Sequence, residues 1–176
     1  MRTRTINEEV LYTDERLVTV GSRDIEELKD LATRNRRKRI RLCAHRDVDD
    51  KVHEMLIVHA KDAYVRPHKH LTKSESFHII EGTADVVIFD EEGTATDLVK
   101  MGDHSSPWSF YYRISEPYYH TVLIRSDFLV FHETATGPFI RSDSVMAPWS
   151  PEEDDVRAVA EFSARLDRAV DGLTTS

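Results

Sequence analysis

The sequence predicts an all-β fold, an antiparallel sandwich or barrel with one helix before it and one after it. Three observations carry this. From Lys38 onward, apolar residues recur with a period of two in short runs rich in β-branched and aromatic side chains. Turn-forming clusters punctuate the runs at Asp47–Asp50, Glu81-Gly82, Glu91-Glu92-Gly93, Gly102-Asp103, Arg125-Ser126-Asp127 and Gly137-Pro138. Helical periodicity is confined to the two ends.

In chain order, Val10–Tyr12 and Leu17–Val20 read as short strands. Ser22–Arg34 reads as a helix, because Ile25, Leu28, Leu31 and Ala32 form one stripe and Asp24 and Glu27 have capping-box spacing. The strand candidates follow: Ile40–Ala44, Met55–His59, Ala63–Arg66, Glu75–Ile80, Ala84–Phe89, Asp97–Lys100, Phe110–Ile114, Tyr118–Ile124 and Phe128–Glu133. About nine strands at this spacing suit a sandwich or barrel. Ser150-Pro151-Glu152-Glu153 then reads as a helix start, with proline at the first position and glutamate in capping-box register. Val156, Val159, Ala160, Ser163, Leu166 and Val170 give that last helix one face for packing on the outside of the sheet. With no repeats or linkers, the whole of 1–176 reads as one domain: an extension over 1–37, a β core over 38–147 and a C-terminal helix over 148–176.

Composition narrows the function. The 176 residues hold 24 Lys plus Arg and 32 Asp plus Glu, a net charge of −8, which argues against an anionic membrane or nucleic acid as partner. The basic run Arg34–Arg41 lacks interleaved aromatics and reads as a solvated helix end. Cys43 is the single cysteine, so neither an internal disulfide nor a Cys-rich zinc site is open to this chain. No run approaches the roughly 20 apolar residues of a membrane span. The first residues carry no apolar export segment, and the reading expects a cytoplasmic protein.

The nine histidines are unevenly placed. His68 and His70 stand two apart, so on an extended strand both imidazoles leave the same face, an arrangement suited to a divalent transition metal. Glu75 opens the next strand on the face of Phe77 and Ile79, pointing inward, where an unpaired carboxylate is costly and a metal would satisfy it. His120, on the face of Val122 and Ile124, is placed to complete a three-histidine, one-glutamate site with open positions for a ligand. His78 takes the opposite parity and reads as a surface residue.

His68-x-His70, Glu75 after four more residues and Gly82 after six more resemble the first motif of the cupin superfamily, with His120 in the place of the second motif's histidine. Arg41-Leu42-Cys43-Ala44-His45, Tyr64-Val65-Arg66-Pro67-His68-Lys69-His70, Phe131-His132-Glu133-Thr134-Ala135-Thr136-Gly137-Pro138-Phe139 and Ala147-Pro148-Trp149-Ser150-Pro151 resemble the WbuC-type cupin metalloproteins. The resemblance spans roughly Arg39 to Pro151. It implies a small β-barrel or jelly roll, a bound divalent metal, a homodimer that pairs through sheet edges or exchanges residues before Ser22, and an association with bacterial polysaccharide biosynthesis. It implies no particular reaction. The chain departs from the pattern at Asp62, where the first motif usually opens with glycine, and at Ile124, where the second usually has asparagine.

Around these ligands, Tyr64 and Arg66 share the parity of His68. Tyr64 and Glu133 are the candidate proton carriers, and Arg66 and Arg113 the candidate grips on an anionic substrate. The sequence thus points to one divalent ion (Fe, Mn, Ni or Zn) and a small anionic or sugar-derived metabolite, as an isomerase, epimerase or lyase, or an oxygenase with iron. A metal-dependent binding module without catalysis is the alternative from the same ligands.

Overall fold

The computed structural model describes residues 1–173. Twelve strands and two helices are formed: β1 (Thr3–Asn7), β2 (Val10–Thr13), α1 (Ser22–Arg34), β3 (Arg39–Cys43), β4 (Val52–Ala60), β5 (His68–His70), β6 (Glu75–Glu81), β7 (Thr83–Phe89), β8 (Ala95–Gly102), β9 (Tyr111–Ile114), β10 (Tyr119–Ile124), β11 (Phe128–Thr136), β12 (Ser144–Met146) and α2 (Val156–Val170). One sheet has the order β1-β2-β3-β4-β11-β6-β9 and the other β12-β5-β10-β7-β8. At its centre lie two four-stranded sheets, β4-β11-β6-β9 and β5-β10-β7-β8, between which the chain passes back and forth. This is the eight-stranded jelly roll. The contacts between these strands are antiparallel; only β2 joins β3 in parallel.

Period-two patterning builds the interior. Met55 and Ile57 of β4, Phe77 and Ile79 of β6, Ala84 and Val86 of β7, Val122 of β10 and Leu129 and Phe131 of β11 meet in one core between the sheets. The opposite face of the longer sheet is covered by α1, whose Ile25, Leu28 and Ala32 pack on Ile40, Leu42, Val58 and Val130. Phe162, Leu166 and Val170 of α2 cover Val87, Leu98 and Tyr119 of the other sheet. Neither helix is long and apolar enough to cross a membrane.

Four local expectations are corrected. Asp24 sits in the first turn of α1 rather than at its cap, and its Oδ2 accepts from Gly21 N at 2.9 Å. The last helix begins at Val156, capped by Asp155 accepting from Ala158 N at 3.0 Å. The residues before it are held otherwise: Ser150 Oγ donates to Ala147 O, and Glu153 pairs with Arg37 and Arg39 instead of closing a capping box. Leu17–Val20 and Ala63–Arg66 are not strands. Ahead of the second, Asp62 has φ of 68°, a left-handed turn that breaks the extended run. Conversely, β1 and β12 form from sequence with no alternation signal. The residues before Ser22 pair within their own chain, β1 with β2 and β2 with β3.

Candidate metal centre

Three short stretches of strand bring three imidazoles together. β5 carries His68 and His70 on one face. β10 is its neighbour, and His120 is the register partner of His68. The candidate ligand nitrogens of His68, His70 and His120 lie within 4.8 Å of one another. Glu75 opens β6 on the facing sheet and enters the same space, with Oε2 3.0 Å from His70 Nε2 and Oε1 2.9 Å from His120 Nε2. His70, His120 and Glu75 are all buried.

The outer nitrogen of each ring is already engaged. His68 Nδ1 lies 2.9 Å from Arg66 O, His120 Nδ1 3.0 Å from Tyr118 O, and His70 Nδ1 3.0 Å from Ser144 Oγ. A carbonyl can only accept, so Nδ1 of His68 and of His120 carries a proton, and the neutral ring of each turns its Nε2 lone pair inward. This is the tautomer that metal-ligating histidines adopt. The 2.9 Å approach of His120 Nε2 to Glu75 Oε1 lacks hydrogen-bond alignment, leaving both atoms buried without a hydrogen-bond partner. An imidazole nitrogen and a carboxylate oxygen held this close and out of hydrogen-bond alignment call for a positive charge between them, a proton or a metal ion. The donor set therefore fits a divalent ion of the later first row.

Charge in the site follows from burial and neighbours. Burial opposes ionisation of Glu75, but His120 and His70 outweigh it and hold the carboxyl well below its usual range. Burial works against protonated His120 too, yet Glu75 raises it. Burial, with His120 and His70 nearby, takes His68 down to about 4.

The centre forms one wall of a cavity of about 390 Å³, lined also by Arg37, Arg39, Arg41, His59, Arg66, Lys73, Phe131, Glu133 and Glu153. Glu133 stands on the inner face of β11, paired in register with Phe77 and Met55. Burial and the Glu75 charge push its carboxyl up to about 8. Arg66 reaches the rim, but its guanidinium is committed to Ser150 and Glu152.

Tyr64 and Arg113 require correction. The irregular path of 63–66 cancels the parity that put Tyr64 beside His68. Its ring packs on Phe162 and its hydroxyl donates to Pro151 O at 3.2 Å, beneath α2 and outside the cavity lining. Burial there raises its pKa to about 12. Arg113 lies on the edge strand β9, exposed, with Nε donating to Ser115 Oγ at 3.1 Å. Residues the sequence reading missed are Ser144, Arg41 and Lys73. Nothing in the sequence marks Ser144, because β12 reaches His70 only through tertiary pairing. Arg41 shares the parity of Cys43, a signal that becomes usable once the inward face of β3 is known.

Comparison with known proteins speaks to the fold. A family model described as a domain of unknown function (DUF6016) matches residues 20–101. No curated protein sequence is matched. Among solved structures, a Shewanella oneidensis protein is similar at 12% identity, covering 72% of this chain and 78% of that one, with a TM-score of 0.50. A cupin 2 conserved barrel domain protein from Rhodopseudomonas palustris is similar at 15% identity over 78% of this chain and 80% of that one, TM-score 0.48. A sugar phosphate isomerase of the cupin superfamily from Silicibacter pomeroyi is similar at 17% identity over 50% of this chain and 52% of that one, TM-score 0.40.

Proposed function

We propose that this chain is a mononuclear metalloprotein of the cupin type that binds a small anionic or sugar-derived metabolite and acts on it. His68, His70, His120 and Glu75 hold the ion in this reading, and WbuC-type metalloproteins are the finer likeness. The observation that supports it most is the orphaned pair, His120 Nε2 and Glu75 Oε1, aimed at one another inside a ring of imidazoles whose outer nitrogens are engaged. When bound, a divalent ion supplies Lewis-acid polarisation of an oxygen donor, or redox chemistry if it is iron.

The chain's own residues do the rest. Arg66 O and Tyr118 O orient the rings of His68 and His120, and Ser144 steadies His70. Phe77, Val122 and Phe131 give the cavity an apolar floor that excludes water from the ligands. Glu133, facing the cavity, is the carboxyl placed to hand a proton to or take one from a ligand's oxygen or carbon. Tyr64, tied to Pro151, has no part in this reading.

Metal analysis of protein purified without added metal or chelator tests it, alongside His70→Ala. One equivalent of a first-row ion in the wild type and less than about a tenth in the variant is the expected result. Equal metal content in the two, or none in either, overturns the reading.

A further inference from the structure

Five cationic side chains line the cavity, and their pairing divides them sharply. Arg37 and Arg39 both bind Glu9 and Glu153, and Arg66 binds Glu152. Arg41 and Lys73 have no carboxylate within ion-pair distance and no side-chain hydrogen bond among the described residues; Lys73 lies only 6.0 Å over the Phe139 ring. Arg41 stands on β3, a strand that carries none of the candidate ligands. Arg41 leaves the inner face of β3, where its register partner is Ile57 of β4 and the next in line is Phe131 of β11. β3 is two strands from β11, so about 10 Å of sheet separates the Arg41 backbone from that of Glu133's strand. Lys73 belongs to the loop joining β5 to β6, two residues ahead of Glu75.

Two cations without an ion-pair partner line one concavity, Arg41 exposed at its mouth and Lys73 half-buried, and together they offer a seat for an anion. Fixed acids saturate every other cation there, which confines the seat to this pair.

We propose that the cavity takes a two-ended ligand: an oxygen-donor end at His68, His70, His120 and Glu75, and a remote carboxylate or phosphate held by Arg41 and Lys73. The metal half rests on the function proposed above; the anion seat rests on the pairing of the cations alone. A cavity of about 390 Å³ suits a molecule of a few to a dozen or so heavy atoms between these ends.

Calorimetric titration of the metal-loaded full chain with three related 2-hydroxy acids tests the seat. Glycerate carries only the chelating end, malate adds a remote carboxylate, and 3-phosphoglycerate adds a remote phosphate. The wild type is expected to bind at least one of the latter two about tenfold or more tighter than glycerate. Whichever is tighter names the anion. Arg41→Met with Lys73→Met brings that ligand to the glycerate level while leaving glycerate within about twofold. Equal affinities for all three, no binding of any, or a parallel loss of glycerate in the double variant overturns the proposal. Inorganic phosphate, titrated into His70→Ala with and without the two substitutions, separates the two readings. Phosphate binding that survives His70→Ala and disappears with Arg41→Met and Lys73→Met upholds the seat even if the metal reading fails. Phosphate binding indifferent to the two substitutions removes it.

Discussion

Two groups of histidines lie inside or beside the same jelly roll, and they are built for opposite ends. His68, His70 and His120 turn their Nε2 atoms to one point, each with its Nδ1 engaged, and Glu75 joins them there. His45 and His53 stack face to face, with ring centroids 4.1 Å apart and planes 10° from parallel. His45 Nδ1 is occupied by the backbone of Glu54, and its edge meets Tyr12. Burial lowers the pKa of His45 and favours its neutral form. His70 and His120 are as buried as His45 and His53, and His68 is half-buried. The difference is a carboxylate and the direction of the free nitrogens. Stacked rings bury area as flat apolar bodies, whereas convergent rings leave lone pairs that need a cation.

The largest contrast is expected on metal content. His120→Ala should lose bound metal to below about a tenth of the wild-type stoichiometry, while His45→Phe keeps it, both read by elemental analysis of the purified protein. Metal retained in the first variant or lost in the second would dissolve the distinction.

Acid stability comes next. His59 faces the same cavity but lies edge-on to Phe131 with Nδ1 unpartnered, and burial drops its pKa to about 4, below the model-peptide value near 6.5. The unfolded chain therefore binds a proton first, so this residue's contribution is complete above pH 6.5 and is lost as the pH falls towards 4. The loss amounts to about 3 kcal/mol at most. Denaturant melts of metal-free wild type and His59→Leu should keep a constant offset above pH 6.5, and the wild type should lose stability relative to the variant as the pH falls towards 4. Parallel pH profiles would count against it.

Ser144→Ala removes the partner of His70 Nδ1 without touching a ligand. Metal affinity should fall about tenfold by competition with a chromophoric chelator, with the melting temperature of the metal-free protein nearly unchanged. An unchanged affinity would show that the ring is positioned by β5 alone. The smallest effect is expected far from either group: Asp155→Ala removes the cap of α2 and should cost about 1 kcal/mol, with no change in metal content.

The two histidine groups differ equally in how much of them can be read from the chain. His68 and His70 announce themselves, because a spacing of two on a strand settles that they share a face before any fold is known. Glu75 is legible for a related reason: a carboxylate in phase with Phe77 and Ile79 points where they point. The strands from Glu75 to Glu133 follow from alternation and turns, and α1 from its apolar stripe. For Tyr64 the same logic fails. Parity carries only as far as the strand does, and Asp62 turns the chain before Tyr64, while Arg113 alternates with the inward Tyr112 and Ile114 and so points to solvent.

The sequence alone determined the class of fold, the helix Ser22–Arg34 and the two-histidine, one-glutamate motif, since each depends on periodicity within a few neighbouring residues. Tertiary structure decided the rest. That β12 would bring Ser144 to His70, that Glu9 and Glu153 would neutralise Arg37 and Arg39, and that Arg41 and Lys73 would have no ion-pair partner among the described residues all depend on pairings between residues far apart in the chain. Such pairings are set by which strands share a sheet and which ends of the sandwich meet, and no local pattern encodes that.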